Sequence, residues 1–454
     1  MNLLHTIASF VVALGVLIVV HELGHYFVAR WCGVKVLRFS VGFGRALVTR
    51  RVGADQTEWV LAAVPLGGYV KMADEREGPV APADLPRAFN RQRVWRRFAI
   101  VAAGPIANFL FAIALYWLLF LSGGQEAKPI LAAPQAGSLA AAAGLARGET
   151  IRAINDEPIA SWQDVRWRVM QLALDRASAR LEVAGEGGAL DTRVLDLSHV
   201  NADEMEGDLL GKLGLRLYRP EFPAVIGDVL AGSVAERAGL RAGDRLLAAD
   251  GAALASWDAF VAKVRASPGK PLALEVERGG ARERFEVVPE TVVQGSTTYG
   301  RIGAGPRVDP AALKPYYVEV RYGPVAAAAR AVAKTWEMSV FSLRMLGRML
   351  VGEVSWRNLS GPVTIADYAG QSAQLGLAPY LTFLALISIS LGVLNLLPIP
   401  LLDGGHLMYY AIEVLKGSPV SERMMELGQR AGLAVLLFLM AFAFYNDINR
   451  LLSG

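Results

Sequence analysis

Residues 4–29 read LHTIASFVVALGVLIVVHELGHYFVA, an apolar run that carries His21-Glu22-Leu23-Gly24-His25 in its second half. A bilayer core needs about 20 apolar residues of helix, so this stretch is long enough to cross one. Helical periodicity puts His21 and His25 on one face, a single turn apart, where both imidazoles can reach one Zn2+ ion. Glu22 sits beside them, placed to take a proton from a water at that ion. An HExxH string arises by chance in soluble helices. Inside an apolar helix a charged residue costs at least ~2.5–3.5 kcal/mol on insertion scales, so Glu22 demands a functional explanation.

Three more stretches are apolar enough to span, Phe98–Leu121, Leu377–Leu397 and Ala431–Tyr445. The fourth is the shortest, bounded by Arg430 and Asp447, and needs flanking side chains to reach the interface. The expected fold class is therefore a multi-pass α-helical membrane protein with four transmembrane helices. Composition agrees: of 454 residues 53% are hydrophobic and 19% charged, which is membrane segments mixed with soluble ones. The net charge of +4 comes from scattered basic residues without a nucleic-acid-binding signature, so no nucleic acid is expected as a partner. A single cysteine, Cys32, excludes an intrachain disulfide. Residues 1–20 hold no Lys or Arg and no clear small-residue cleavage site follows, so the first span reads as a retained helix rather than a signal peptide.

Orientation follows from residues 30–97, with thirteen Lys/Arg against six Asp/Glu. The positive-inside rule makes this loop cytoplasmic, and with it the side of the active site. The N- and C-termini and the long segment from about 122 to 375 then lie outside.

That outer segment repeats itself at an offset of 95 residues, AGSLAAAAGLARGETIRAINDEPIASW from Ala136 against AGSVAERAGLRAGDRLLAADGAALASW from Ala231. Each copy sets a Gly-acidic pair, Gly148-Glu149 or Gly243-Asp244, before an alternating strand, and then Ser-Trp at the start of a helix. The pattern resembles circularly permuted bacterial PDZ domains, which implies two inserted α+β domains over 125–218 and 220–307. Residues 324–350 read as an amphipathic helix whose Arg330, Lys334, Glu337, Arg344 and Arg348 share a face. It suits either the membrane interface or a surface of the PDZ domains. Short alternating runs between Val34 and Met72, punctuated by Gly42, Gly44, Gly53, Gly67 and Gly68, predict a small antiparallel sheet.

A catalytic zinc usually has three protein ligands and an open position. The best third ligand lies in Asn395-Leu-Leu-Pro-Ile-Pro-Leu-Leu-Asp403-Gly-Gly405, at the inner end of the third span. The first and third spans run in the same direction, which brings His25 and Asp403 to one depth. Pro398 and Pro400 should break the helix there, leaving irregular backbone of the kind tolerated at membrane depth only where it is buried or lines a cavity.

HELGH near the N-terminus, NLLPIPLLDGG near the C-terminus and the tandem repeat between them resemble the site-2 protease family of intramembrane zinc metalloproteases. Val41-Gly42-Phe43-Gly44, Gly104-Pro105-Ile106-Ala107-Asn108 and Leu359-Ser360-Gly361-Pro362-Val363 also match. The resemblance covers essentially the whole chain. It implies Zn2+ held by His21, His25 and Asp403, with Glu22 as the catalytic glutamate and Asn395 helping to hold substrate or its oxyanion. It also implies that the sheet near Gly42, Phe43 and Gly44 dips into the membrane, where an unwound substrate can add to an edge as a strand. His406 reads as structural. The implied setting is the bacterial inner membrane, and the implied partners are lipid, single-pass transmembrane substrates such as an anti-sigma factor or remnant signal peptides, and an upstream site-1 protease that cuts first. For the PDZ pair, capture of peptide ends and exclusion of bulky substrates both remain open, the resemblance favouring exclusion.

The expected organisation is helix 1 over 1–30, a β-region and basic loop over 31–97, helix 2 over 98–121, the two PDZ domains, a linker with the amphipathic helix over 308–374, helix 3 over 375–405 and helix 4 over 429–450. The rival from another class is a non-catalytic scaffold that binds external peptides through the repeat. Glu22 argues against it, since a structural zinc gains nothing from a buried base. A soluble zinc protease with an uncleaved signal fails on the three later spans.

Overall fold

The computed structural model describes residues 3–453 except 186, 201–207, 295–296 and 357–360. Leu359 and Ser360 of the matching string before the third span lie outside the described residues. The chain divides into two compact units, Met1–Gly124 with Val320–Asp447, and Gln125–Glu319 with Ile448–Gly454. Among the described residues four helices are long and apolar enough to cross a membrane.

Helix α1 (Leu3–Trp31) buries Thr6, Ala13 and Leu17 on one face of its first half, and Glu22, His25, Tyr26 and Ala29 on a different face of its second half, so the HExxH string has a buried face of its own. Two long strands follow, β1 (Val36–Val52) and β2 (Thr57–Met72). They form more than a simple antiparallel hairpin. The outer half of β1 pairs with the start of β2 in falling register, from Val48↔Leu61 to Val52↔Thr57. The inner half pairs twice: in falling register with the end of β2 (Phe39↔Val70, Val41↔Gly68), and in rising register with its start (Phe39↔Trp59, Val41↔Leu61). The hairpin is thus folded over on itself into four segments in the order 46–52, 57–62, 36–41, 68–72, which corrects the expectation of a purely antiparallel sheet. Period-two alternation cannot foresee the fold-over. Gly42 permits it, with φ +91° and a virtual Cβ only 2.8 Å from the Val64 carbonyl oxygen. Helix α2 (Val94–Ser122) then runs back along α1.

In the other unit the 95-residue offset becomes a repeated fold. The first copy holds β3 (Thr150–Ile154), β4 (Glu157–Pro158), α3 (Trp162–Leu174), β5 (Ala179–Ala184) and β6 (Leu190–Leu195), with sheet order β4-β3-β5-β6. The second holds β7 (Arg245–Ala249), β8 (Ala252–Ala253), α4 (Trp257–Arg265), β9 (Leu272–Arg278) and β10 (Ala281–Val287), with sheet order β8-β7-β9-β10. The acidic residue of each Gly-acidic pair closes a turn. Glu149 accepts the Ala146 N–H and Asp244 the Arg241 N–H, each at 2.8 Å. Arg278 adds two 2.7 Å bonds to Asp244, which is buried. Burial alone would push this carboxyl up, yet the bonds from Arg278 and the Arg241 N–H outweigh it and hold Asp244 below the usual carboxylate range. Ser161 and Ser256, one before each tryptophan, are helix N-caps.

The chain returns through α5 (Pro324–Leu350) and α6 (Pro362–Leu375) to α7 (Leu377–Leu396), α8 (Asp403–Lys416) and α9 (Glu422–Ser453). Helix α5, the amphipathic one, packs along α2 and α7, with Ala331 fully buried among Ala13, Leu17, Ala112 and Leu115. Its small residues let it join the helical core, which accounts for it without a PDZ surface. Helix α9 runs for 32 residues, well beyond the apolar stretch Ala431–Tyr445 at both ends. Hydropathy marks the slab a helix crosses, whereas polar helix formers carry the helix beyond it. Asp447 on α9 accepts the N–H groups of Gly361 at 3.0 Å and Val363 at 2.8 Å, and so caps α6 from another helix.

Candidate metal centre

The third span ends at Leu396, and Asp403 opens a new helix rather than closing the old one. Residues 397–402 form a tight connection, with Leu401 at φ +92°. Gly404 and Gly405 lie against it so closely that a Cβ at 404 would sit 2.1 Å from the Leu397 carbonyl oxygen, and one at 405 would sit 2.6 Å from that of Ile399. The glycines of LDGG are therefore what lets the loop fold over the start of α8 and point Asp403 inward.

There Asp403 meets the two histidines. His21 Nε2 lies 3.1 Å from Asp403 Oδ2, His25 Nε2 lies 3.5 Å from Asp403 Oδ1, and the two Nε2 atoms are 3.2 Å apart. A tetrahedral ion with bonds of about 2.0–2.1 Å spaces its ligands by roughly 3.3 Å, so the two imidazole nitrogens and the Asp403 carboxylate are gathered at the spacing that zinc ligands adopt. The same three side chains are the one group among the described residues arranged to hold a metal ion. His25 Nδ1 faces the Ile100 carbonyl oxygen of α2 at 2.8 Å, which leaves Nε2 as the nitrogen available to a metal ion. Space for the ion is kept by Gly104, where a Cβ would fall 2.3 Å from His25 Nε2 and 2.8 Å from His21 Cε1. Gly24 makes the reciprocal approach, its virtual Cβ being 2.3 Å from the Ala103 carbonyl oxygen.

Glu22 is buried on the same face and makes no hydrogen bond among the described residues. Strand β2 passes it at Gly68, whose Cβ would sit 2.9 Å from Glu22 Cγ and 2.8 Å from the Ser40 carbonyl oxygen. Asn395 is half-buried on the last turn of α7. Gly42, Phe43 and Gly44 lie at the fold-over of the hairpin, with the Phe43 ring stacked on Tyr69 at 6.2 Å between centroids and exposed on its other side. His406 neighbours Tyr409 on α8, and burial holds its imidazole below the usual histidine range. Sequence reasoning passed over the roles of Gly24, Gly68 and Gly104. Isolated glycines inside helix and strand patterns were the available signal, because such positions mark close backbone approach.

Two imidazoles, a carboxylate and a free acid gathered on a membrane-length helix define a metal-dependent hydrolase embedded in a helical bundle. The chain belongs to peptidase family M50, which it matches over residues 9–439. It is 45% identical over 453 residues to the regulator of sigma-E protease RseP of Escherichia coli (strain K12), covering 99% of this chain and 100% of that protein. It is 43% identical over 454 residues to protease RseP of Yersinia pestis, with 99% and 100% covered. A Neisseria meningitidis protein named "Putative zinc metalloprotease" is 44% identical over 455 residues, again with 99% and 100% covered. The enzyme is thus a zinc metalloprotease of the site-2 type.

Proposed function

We propose that His21, His25 and Asp403 hold the zinc, that Glu22 is the general acid–base, and that the scissile bond belongs to a transmembrane segment of a single-pass protein. The observation that carries this is the cluster of two imidazole nitrogens on α1 and one carboxylate on α8, with 3.1–3.5 Å between neighbouring donor atoms. Bound zinc supplies Lewis acidity that brings the pKa of a water toward neutrality and polarises the peptide carbonyl. Glu22 then takes the proton of the attacking water and delivers it to the leaving amine nitrogen. Asn395 is assigned to the carbonyl oxygen of the bond under attack.

A helical segment must unwind before its peptide bonds can react, since its carbonyls are shielded by internal hydrogen bonds. Residues 68–72 form an outer segment of the folded hairpin, and Gly68 lies against Glu22. An unwound strand added there replaces the lost hydrogen bonds next to the base. Gly42, Phe43 and Gly44 serve the same step by shaping the hairpin and offering an apolar ring to the incoming segment.

By the charge rule the loop 30–97 and the centre face the cytoplasm, and both termini lie outside, in the inner membrane of a bacterium. The two repeats are read as PDZ domains that screen substrates already trimmed by a first protease. A cleft of about 1040 Å³, lined by Trp162, Arg166 and Leu215 of the first repeat and by Glu221 and Asp258 of the second, leaves room for an extended peptide beside both copies. An anti-sigma factor and remnant signal peptides are the substrates this reading names.

Cleavage of a reporter transmembrane segment in detergent tests the mechanism. The Glu22→Gln enzyme should fold and bind one zinc, yet cleave about 100- to 10,000-fold more slowly. Cleavage at the normal rate would remove Glu22 from the reaction.

A further inference from the structure

Helix α2 is uncharged from Phe98 to Leu121, and Asn108, one turn beyond Gly104, is fully buried in it. Its amide nitrogen Nδ2 lies 3.2 Å from His21 Nδ1, while its carbonyl oxygen Oδ1 is buried without a hydrogen-bond partner. A histidine that gives Nε2 to a metal carries its proton on Nδ1 and needs an acceptor there. His25 has one, the Ile100 carbonyl oxygen at 2.8 Å. His21 faces an amide nitrogen, so with its proton on Nδ1 two donors would oppose each other. Half a turn about the amide's own axis exchanges Oδ1 and Nδ2, whose shapes are nearly equivalent. The exchange puts the acceptor on His21 Nδ1 and the amide N–H2 where the carbonyl now sits. It trades an orphan acceptor for an orphan donor, so the gain rests wholly on the His21 contact.

We propose that Asn108 is a positioning residue of the metal centre, its side-chain carbonyl accepting the His21 Nδ1–H and thereby fixing the tautomer and ring orientation that present Nε2 to zinc. The inference rests on His21 being a ligand. The backbone at this position is firmly held, because the Asn108 main-chain carbonyl accepts the Ser388 hydroxyl of α7 at 2.8 Å, and Ser388 is likewise fully buried. The two ligand histidines of α1 are then both oriented by α2, one through a main-chain carbonyl and the other through an amide. A fully buried amide in an uncharged span is costly enough to require such a purpose.

The test measures zinc affinity by chelator competition on full-length enzyme in detergent, with thermal unfolding recorded in parallel. Asn108→Leu keeps the size and removes the acceptor, so zinc should bind about 10- to 100-fold more weakly. Asn108→Asp keeps an acceptor of the same shape and should hold zinc within a few-fold of the wild type. The Co2+-substituted Asp variant should keep the visible spectrum of the wild-type cobalt protein, and the Leu variant should not. Wild-type affinity in a folded Leu variant overturns the proposal. So does a folded Asp variant that binds zinc tenfold or more weakly, which keeps the question answerable if the Leu variant does not fold. If instead His21→Ala bound zinc as tightly as the wild type, the ligand assignment would fail before Asn108 was in question.

Discussion

Gly104→Ala separates the stability of the helical bundle from the integrity of its metal centre. The new methyl carbon would lie 2.3 Å from His25 Nε2, 2.6 Å from His25 Cε1 and 2.8 Å from His21 Cε1. Non-bonded carbon contacts settle at about 3.5–4.0 Å, so either the rings or the helix must give by about an ångström. The His25 ring cannot turn freely, because its Nδ1 is bonded to Ile100 of the same helix that carries the methyl. Overpacking of this kind costs about 1–3 kcal/mol, and here it falls on the rings of the two proposed ligands, His25 and His21. At about 1.4 kcal/mol per tenfold, zinc affinity should drop roughly 5- to 150-fold. Helix propensity offsets part of this strain in the zinc-free fold, since alanine is favoured over glycine in a helix by about 1 kcal/mol. Chelator competition reads the first effect and thermal unfolding of the zinc-free protein reads the second. Zinc binding within twofold of the wild type in a folded Ala variant would refute the assignment of Gly104 as the space kept for the ion.

Replacing Asp403 by Ala should abolish stoichiometric zinc binding and proteolysis together, as read by metal analysis of purified protein; retained zinc at one per chain would take Asp403 out of the ligand set. Asp244→Asn strips Arg278 of its buried carboxylate and should lower the stability of the second repeat domain by about 3 kcal/mol, read by hydrogen exchange of its amides in the intact protein. Because folding depresses the Asp244 pKa, its contribution is fully present above the unfolded value of about 3.9 and is lost as pH falls through the lower folded value. The Asn variant should therefore be less sensitive to acid in that window, and an unchanged acid profile would count against the pair.

The chemistry was legible because a charged string in an apolar run is energetically conspicuous. His21, Glu22 and His25 announce themselves, and Pro398 and Pro400 mark where the third span must stop. Repetition at 95 residues likewise forecast two copies of one fold, and the structure matches them down to the left-handed backbone at Asn155 and Asp250. Contacts made by what is absent were harder to read. Gly24, Gly68 and Gly104 matter through close approach between elements far apart in sequence, which no local pattern reports. The same holds for the folded-over hairpin, whose alternation fits parallel and antiparallel neighbours equally well. Helix α6 also escaped notice, since its start is capped by Asp447, a residue 86 positions beyond Gly361. The ends of α9 were misjudged because hydropathy measures the bilayer rather than the helix.

Zinc-edge X-ray absorption of the purified enzyme tests the centre itself most directly. The predicted first shell is two imidazole nitrogens and carboxylate or water oxygen at about 2.0–2.1 Å, with the imidazole scattering halved in His21→Ala or His25→Ala protein reloaded with metal. A sulfur shell near 2.3 Å, or a spectrum without imidazole scattering, would contradict a zinc ion seated between α1 and α8.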